Sequence, residues 1–366
     1  MRDQEKTKIA VTPSGYDDIG AVLDSMGEGF AYDDITSDDL CELELLSRYA
    51  VVFINCSEEC QGYAYEARGS LQRFVQRGGV LYVSEWAGAY IREAFPEYIT
   101  FSDEGGERGT VVAEVTDPGL WEMLGPSLEL HFDLPGWKAI RHTNQNTRVY
   151  LRGSYVLEDG DHQEDRPLLV SFDYGQGHVI YTAFHNEPQL SEKERQLLRF
   201  LVLKPVTAKV ARATVKLLAT ERLSAEKETV ASIDPGGSSP VYSHVVPNGV
   251  NLKILLNWRG RETTLQLSVY SSDGGLYRQV HSNAPPLGVT VPNAQAGNWQ
   301  YQVTGLAVPY ANFPYVLTVA TQPVAVWSQP GLPDRTITDY LAQVCRHCGR
   351  SNRPRAKFCA NCGQEL

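Results

Sequence analysis

Four cysteines near the C-terminus carry the most specific chemistry in the sequence. Cys345 and Cys348 form one Cys-x-x-Cys pair and Cys359 and Cys362 another, ten residues apart, in CRHCGRSNRPRAKFCANCGQEL. A glycine follows each pair and permits the tight turn in which backbone amides bond thiolate sulfur. Four thiolates suit one tetrahedral, closed Zn²⁺ site with no catalytic water, a single structural zinc. A segment of about twenty-two residues cannot bury a core, so the metal must supply its folding energy, on the order of 10–16 kcal/mol. A redox role for the two pairs lacks the surrounding thioredoxin-like pattern, and His347 is a fifth donor that four cysteines make unnecessary. Arg346, Arg350, Arg353, Arg355 and Lys357 lie among the ligands as a basic patch. The zinc–thiolate cluster is itself net negative, so a protein partner is expected first, docking on the chain's own acidic body second, and nucleic acid third.

A second constellation lies around Leu71 to Gly88, LQRFVQRGGVLYVSEWAG. Ala64, Ala67, Leu71, Phe74 and Val75 recur at helical spacing, and Gly78-Gly79 stops the helix. Val80 to Val83 is a continuous apolar run suited to a parallel strand covered on both faces. Ser84-Glu85-Trp86-Ala87-Gly88 then falls at the carboxyl end of that strand, where open α/β sheets place ligands. A nucleophile elbow is a strained strand-to-helix turn with small neighbours. Centred on Ser84, the pattern puts Tyr82 and Trp86 where glycines belong; centred on Trp86, it offers no nucleophile. Ser84 is therefore expected to bond local backbone, and Glu85 and Trp86 to be partner-contact residues on the sheet rim. Cys56 and Cys60 flank a loop on the same rim, and Cys-x3-Cys is a weak metal spacing. Asp17, Asp18, Asp33, Asp34, Asp38 and Asp39 make the early loops acidic, which helix N-termini and solvent explain better than a divalent cation.

These residues need a scaffold, and at 366 residues two or three domains are the natural expectation. Hydrophobic residues at 42% and charged ones at 21% give a globular composition, while a net charge of −11 disfavours a whole-protein nucleic-acid binder. No apolar run approaches a membrane span, and the apolar run after MRDQEKTK is too short for a signal peptide. Seven cysteines without a disulfide framework point to the reducing cytoplasm. Lys8–Val11, Phe30–Ile35, Tyr49–Ile54 and Val80–Val83 read as strands alternating with helices, hence a parallel, helix-flanked sheet. Pro167–Phe172 and His178–Phe184 read as a hairpin, and Ser191 with Glu194 as a capping box opening a last helix that ends at Lys204-Pro205. From Val206 the pattern changes. Val210–Leu218 is expected to be a first strand, and strict alternation follows at Leu252–Trp258, Leu265–Val269, Trp299–Val303 and Tyr315–Val319. Several half-buried strands at this spacing predict a β-sandwich.

Three resemblances attach to these segments. The order of elements over residues 7 to 205, with FVQRGGVLYVSEW and GHVIYTAFHNEPQLSEKERQLLRFL, resembles the class I glutamine amidotransferase-like fold and its ThuA-like relatives. That resemblance implies a Cys in a Gly-x-Cys-x-Gly elbow and a late His-x-Glu supplying base and orienting acid. His185-Asn186-Glu187 matches the latter; the elbow does not match. The run LSVYSSDGG, VTVPNAQAGNWQYQVTG and YVLTVAT resembles the bacterial pre-peptidase C-terminal domain and related jelly-roll modules, and the terminal cysteines resemble a short zinc ribbon.

The sequence thus predicts a multidomain cytoplasmic chain. An amidotransferase-like α/β domain with a flavodoxin-like parallel sheet (1–205) precedes a jelly-roll-like β-sandwich (206–323), a linker (324–344) and a four-cysteine zinc ribbon (345–366). A non-catalytic, protein-binding scaffold is the expected role, contacting its partner through the ribbon or the sheet rim, with no membrane association. The alternatives are a hydrolase or amide-transfer enzyme using His185 and Glu187 with Ser84 or Cys56, and a nucleic-acid adaptor acting through the basic ribbon.

Overall fold

The structure is a computed structural model that describes residues 7–186, 188–189, 191–323, 343–344, 351–352, 357–359 and 364–365. It divides into two compact units, Met1–Gln322 and Pro323–Leu366. In the first unit the chain begins with β1 (Ile9–Val11), α1 (Ile19–Met26), β2 (Tyr32–Asp34), the short α2 (Leu43–Leu46) and β3 (Val51–Ile54). It continues through α3 (Cys60–Gln76), β4 (Val80–Ser84), α4 (Gly88–Ala94) and β5 (Ile99–Phe101). Next come β6 (Gly109–Val115), α5 (Pro118–Leu124), β7 (Ser127–Phe132), β8 (Ile140–Thr143), β9 (Thr147–Val156), β10 (His162–Tyr174), β11 (Gly177–Thr182) and α6 (Glu192–Thr220).

One nine-stranded sheet organises this region, in the order β2-β1-β3-β4-β11-β10-β9-β6-β7. From β2 to β11 neighbouring strands are parallel; from β11 outward to β7 they are antiparallel. The sheet is therefore mixed rather than wholly parallel. The reason is local: β10 and β11 join through the tight Tyr174-Gly177 turn, with Gly175 at φ +58, and a hairpin can only return antiparallel. All five residues of β4 are buried, as its apolar run requires of a strand covered on both faces. The covering is supplied in part by α3, whose Cys60, Ala64, Ala67, Leu71, Phe74 and Val75 form its buried stripe.

α6 opens on the capping box formed by Ser191 and Glu194, as the sequence indicates, but it does not end at Pro205. It runs unbroken to Thr220, so the segment Val210–Leu218 is helix rather than strand, and the expected boundary at 205/206 falls inside one element. A proline in a helix interior forfeits a backbone hydrogen bond, at about 3 kcal/mol. Packing outweighs that loss here: Leu197, Leu201, Ala208 and Ala211 belong to the buried core before and after Pro205, and Asn257 Nδ2 donates to Thr214 Oγ1 at 2.9 Å. The buried positions Ala211, Thr214 and Leu218 keep helical spacing, which the β-branched composition of the segment concealed.

The later strands are β12 (Lys227–Ile233), β13 (Tyr242–Val246), β14 (Val250–Trp258), β15 (Thr264–Tyr270), β16 (Leu276–Ser282), β17 (Leu287–Ala294), β18 (Gly297–Ala307) and β19 (Phe313–Pro323). They form two four-stranded sheets, β12-β19-β14-β17 and β13-β18-β15-β16. Inward residues of both sheets, among them Leu252, Ile254, Trp258, Leu267, Trp299, Tyr301 and Tyr315, make one buried cluster. Tyr315 is fully enclosed, its hydroxyl 3.0 Å from that of Tyr242. α6 is tied to this region by the Lys204–Glu228 ion pair, and α5 by Glu122, which pairs with Lys227 and accepts from the Ser243 amide at 2.8 Å.

In the second unit, β20 (Gln343–Val344) pairs antiparallel with β21 (Ser351–Asn352), and Phe358 bridges Glu365. Among the described residues, no helix is long and apolar enough to cross a membrane.

Candidate functional site: the rim above β3, β4 and β11

Three adjacent strands end at one place. Cys56 lies just past β3, Glu85 follows β4 directly, and His185 lies just past β11. Parallel register fixes this: Ile54 is opposite Val83, and Ser84 is opposite Thr182.

An elbow is present, and it is centred on Glu85. Ser84 is still extended, Glu85 turns at φ +44, and a single 3₁₀ turn then leads into α4. This strand–turn–helix geometry is that of a nucleophile elbow. Its flanks are Val83 and Ala87, and a carboxylate occupies the place of the nucleophile. The turn is held from the neighbouring strand: the Tyr181 hydroxyl donates to the carbonyls of Glu85 at 3.2 Å and Lys138 at 2.9 Å. A non-glycine residue at positive φ is held at a cost of about 1–3 kcal/mol and persists only where its surroundings over-determine it.

The Glu85 side chain is buried and spends both oxygens inside the protein. Oε1 accepts the Lys138 amide at 2.7 Å, and Oε2 accepts the Cys56 thiol at 2.8 Å. His185 Nε2 stands 3.4 Å from the same Oε2, an ion-pair separation without a formed hydrogen bond, while Nδ1 lies 2.9 Å from Asp133 Oδ1. Glu85 is therefore not a contact residue for a partner, contrary to expectation, because it is enclosed and already bonded. Trp86, half-buried, donates from Nε1 to the Gly136 carbonyl at 2.9 Å and meets Tyr16 edge-on, with ring centroids 5.5 Å apart.

The nucleophile candidates are closed off. Ser84 is fully buried, and its Oγ accepts the Cys56 amide at 3.0 Å, so its role is to tie β4 to the end of β3. Cys56 is also fully buried, with its thiol on Glu85 rather than on the imidazole. Burial, then the Glu85 charge, pushes that thiol well above its ordinary value. Cys60 bonds the Asn55 carbonyl at 3.5 Å and is a free thiol, as is Cys56. Burial opposes charge on His185, yet Glu85, Asp17 and Asp133 outweigh it and push the ring up to about 9. Glu187, the expected orienting acid of the late motif, lies outside the described residues; among those described, Asp133 holds the ring at Nδ1.

Asp17, grouped from the sequence with acidic loop residues explained by solvent and helix N-termini, departs from that expectation because it is enclosed and bonded to Asn186. It is buried beneath the rim, where Oδ1 accepts the Asn186 amide at 2.8 Å and Oδ2 the Asn186 side chain at 2.7 Å. Burial pushes its carboxyl up to about 6, against the pull of those bonds. Asn186 Oδ1 in turn accepts from the Tyr82 hydroxyl at 3.0 Å. Asp17 and Asp133 reach the site from 169 and 52 positions away in sequence, a separation no local motif reports.

In the C-terminal unit, Cys359 is buried and its amide donates to the Gln364 carbonyl at 2.7 Å. Cys345, Cys348 and Cys362 lie outside the described residues, as do Arg346, Arg350, Arg353 and Arg355; Lys357 is exposed.

Residues 344–366 match the zinc-ribbon domain family, which implies zinc binding there. No match to the chain is found among curated proteins. Among solved structures the chain is similar to a candidate GMP synthase component from Thermoplasma acidophilum, at 12% identity over 58% of this chain and 99% of that one, with a TM-score of 0.43. It is similar to PurLQS from Thermotoga maritima, at 13% identity over 57% and 99% of the two chains, with a TM-score of 0.38. A cytoplasmic protein from Salmonella typhimurium LT2 is similar at 15% identity over 53% and 95%, with a TM-score of 0.38.

Proposed function

We propose that this chain is a non-catalytic binding protein built on an amidotransferase-like sheet whose reaction centre has been replaced by a buried structural cluster. One observation carries the reading: the elbow presents Glu85, and its carboxylate is consumed by Cys56, Lys138 and His185. Acyl transfer needs an accessible nucleophile within reach of a base. Here the Cys56 thiol and the Ser84 hydroxyl are both enclosed and bonded elsewhere.

The later β-sheets act as a sandwich-like module, and the C-terminal ribbon holds one structural zinc through Cys345, Cys348, Cys359 and Cys362. The ribbon's basic residues offer a contact surface for an acidic protein partner in the cytoplasm. The test is His185→Gln, followed by urea unfolding and by glutamine hydrolysis. The expected result is a loss of stability with no turnover in either protein. Hydrolysis by the native chain that disappears in a stably folded variant would overturn the reading in favour of an enzyme.

A further inference from the structure

Within the rim cluster, one buried polar atom has no hydrogen bond among the described residues. His185 is 5% exposed and its Nδ1 is held by Asp133, whereas Nε2 is the atom left over. An unsatisfied buried ring nitrogen demands an explanation, an ion among them. The nitrogen faces Glu85 Oε2, and one donor atom each from His185, Glu85 and Cys56 all lie within 4.8 Å of one another.

We propose that Cys56, Glu85 and His185 bind a single divalent transition-metal ion of the zinc class. The donor set is one sulfur, one imidazole nitrogen and one carboxylate oxygen, which suits Zn²⁺ and excludes the hard, all-oxygen cations. Around a tetrahedral ion with bonds of about 2.0–2.3 Å, neighbouring donors stand about 3.3–3.5 Å apart. Nε2 and Oε2 are already 3.4 Å apart, and the 2.8 Å between Sγ and Oε2 has to open by about 0.7 Å once the shared proton leaves.

The outer contacts of such a site are also in place. Asp133 accepts from Nδ1 and so turns Nε2 inward, the arrangement that orients metal-bound histidines. The Lys138 amide occupies Oε1 and leaves Oε2 for the ion. The Ser84 hydroxyl fixes the Cys56 backbone. Binding expels the thiol proton, and any proton on Nε2, to solvent; the two charges of the ion are balanced by the thiolate and the Glu85 carboxylate. Three ligands from three strand ends leave a fourth position for a water or for an oxygen or nitrogen donor of a small ligand.

The experiment must separate this ion from the one in the ribbon. A full-length chain carrying Cys345→Ser, Cys348→Ser, Cys359→Ser and Cys362→Ser is titrated with Co²⁺ and read by its thiolate charge-transfer absorption. One equivalent with that absorption is expected. Adding Cys56→Ala should abolish it, and adding Asp133→Ala should weaken the affinity about 10–100-fold. No Co²⁺ bound, or binding indifferent to Cys56→Ala, overturns the proposal. Native mass measurement of the unaltered chain, reconstituted with excess Zn²⁺, counts ions without any substitution: two per chain support the site and a single ion overturns it. Neither outcome depends on whether the protein turns over a substrate.

Discussion

Replacing Glu85 by glycine separates two reasons for a residue to occupy that turn. If only the backbone mattered, glycine would relieve the strain of φ +44, a gain of about 1–3 kcal/mol, less about 0.5–1 kcal/mol for the freer unfolded chain. The variant would then be as stable as the parent or more so. The structure argues for the opposite sign. Removing the carboxylate leaves the buried Lys138 amide and Cys56 thiol without their acceptor, at about 1–3 kcal/mol for such an orphaned group. It also strips the 5%-exposed His185 of one of its two carboxylate partners, and breaking a buried ion pair destabilises by about 3–5 kcal/mol. With the strain relief subtracted, a net loss of about 5 kcal/mol is expected, measured as a lower urea midpoint at unchanged slope. Glu85→Gln keeps the volume and an acceptor for Lys138 but still removes the charge opposite His185, so it should lose slightly less, about 4 kcal/mol. A Glu85→Gly variant at least as stable as the parent would refute the view that the carboxylate is the organising group of the rim.

Other expectations follow from the same contacts. Lys204→Met should destabilise by about 3–5 kcal/mol in chemical denaturation, because it leaves Glu228 as an unpaired charge between α6 and β12. Glu228 also predicts an acid limb. Burial works against its charge, but Lys204 and Arg148 outweigh burial and hold its carboxyl below the ordinary 4.5. The folded pKa is thus below the unfolded one, so this stabilisation is complete above about 4.5 and is lost as pH falls through the folded value; a midpoint-against-pH series checks it. Cys345→Ser should remove one equivalent of zinc by elemental analysis if, as proposed, this cysteine of the matched segment 344–366 is a ribbon ligand. Tyr82→Phe should lower stability by about 1 kcal/mol in urea, through loss of its bond to Asn186.

Much of this arrangement was written in local pattern. The stripe from Ala64 to Val75, the apolar run of β4, the capping box at Ser191 and the alternation in β14, β15, β18 and β19 all specify elements from nearby residues alone. The rim could be placed at Ser84–Gly88 for the same reason. What escaped was the identity of the elbow residue: a search for a thiol or hydroxyl passes over Glu85, although it directly follows the strand and lies just ahead of the small residues Ala87 and Gly88. Asp17 and Asp133 act through contacts made only by the assembled sheet. The length of α6 escaped because proline and β-branched residues predict a break that the packing of Ala208, Ala211 and Leu218 overrides.

The accessibility of Cys56 tests the non-catalytic reading most directly. Native chain is treated with iodoacetamide, and labelling of each cysteine is followed by mass spectrometry in the absence and presence of urea. Enclosure of the Cys56 thiol against Glu85 predicts that it stays unmodified while the protein is folded and is labelled only as fast as the chain unfolds. Prompt modification of Cys56 in the folded chain, at the rate of an exposed thiolate, would contradict it and return the rim to the reactive sites.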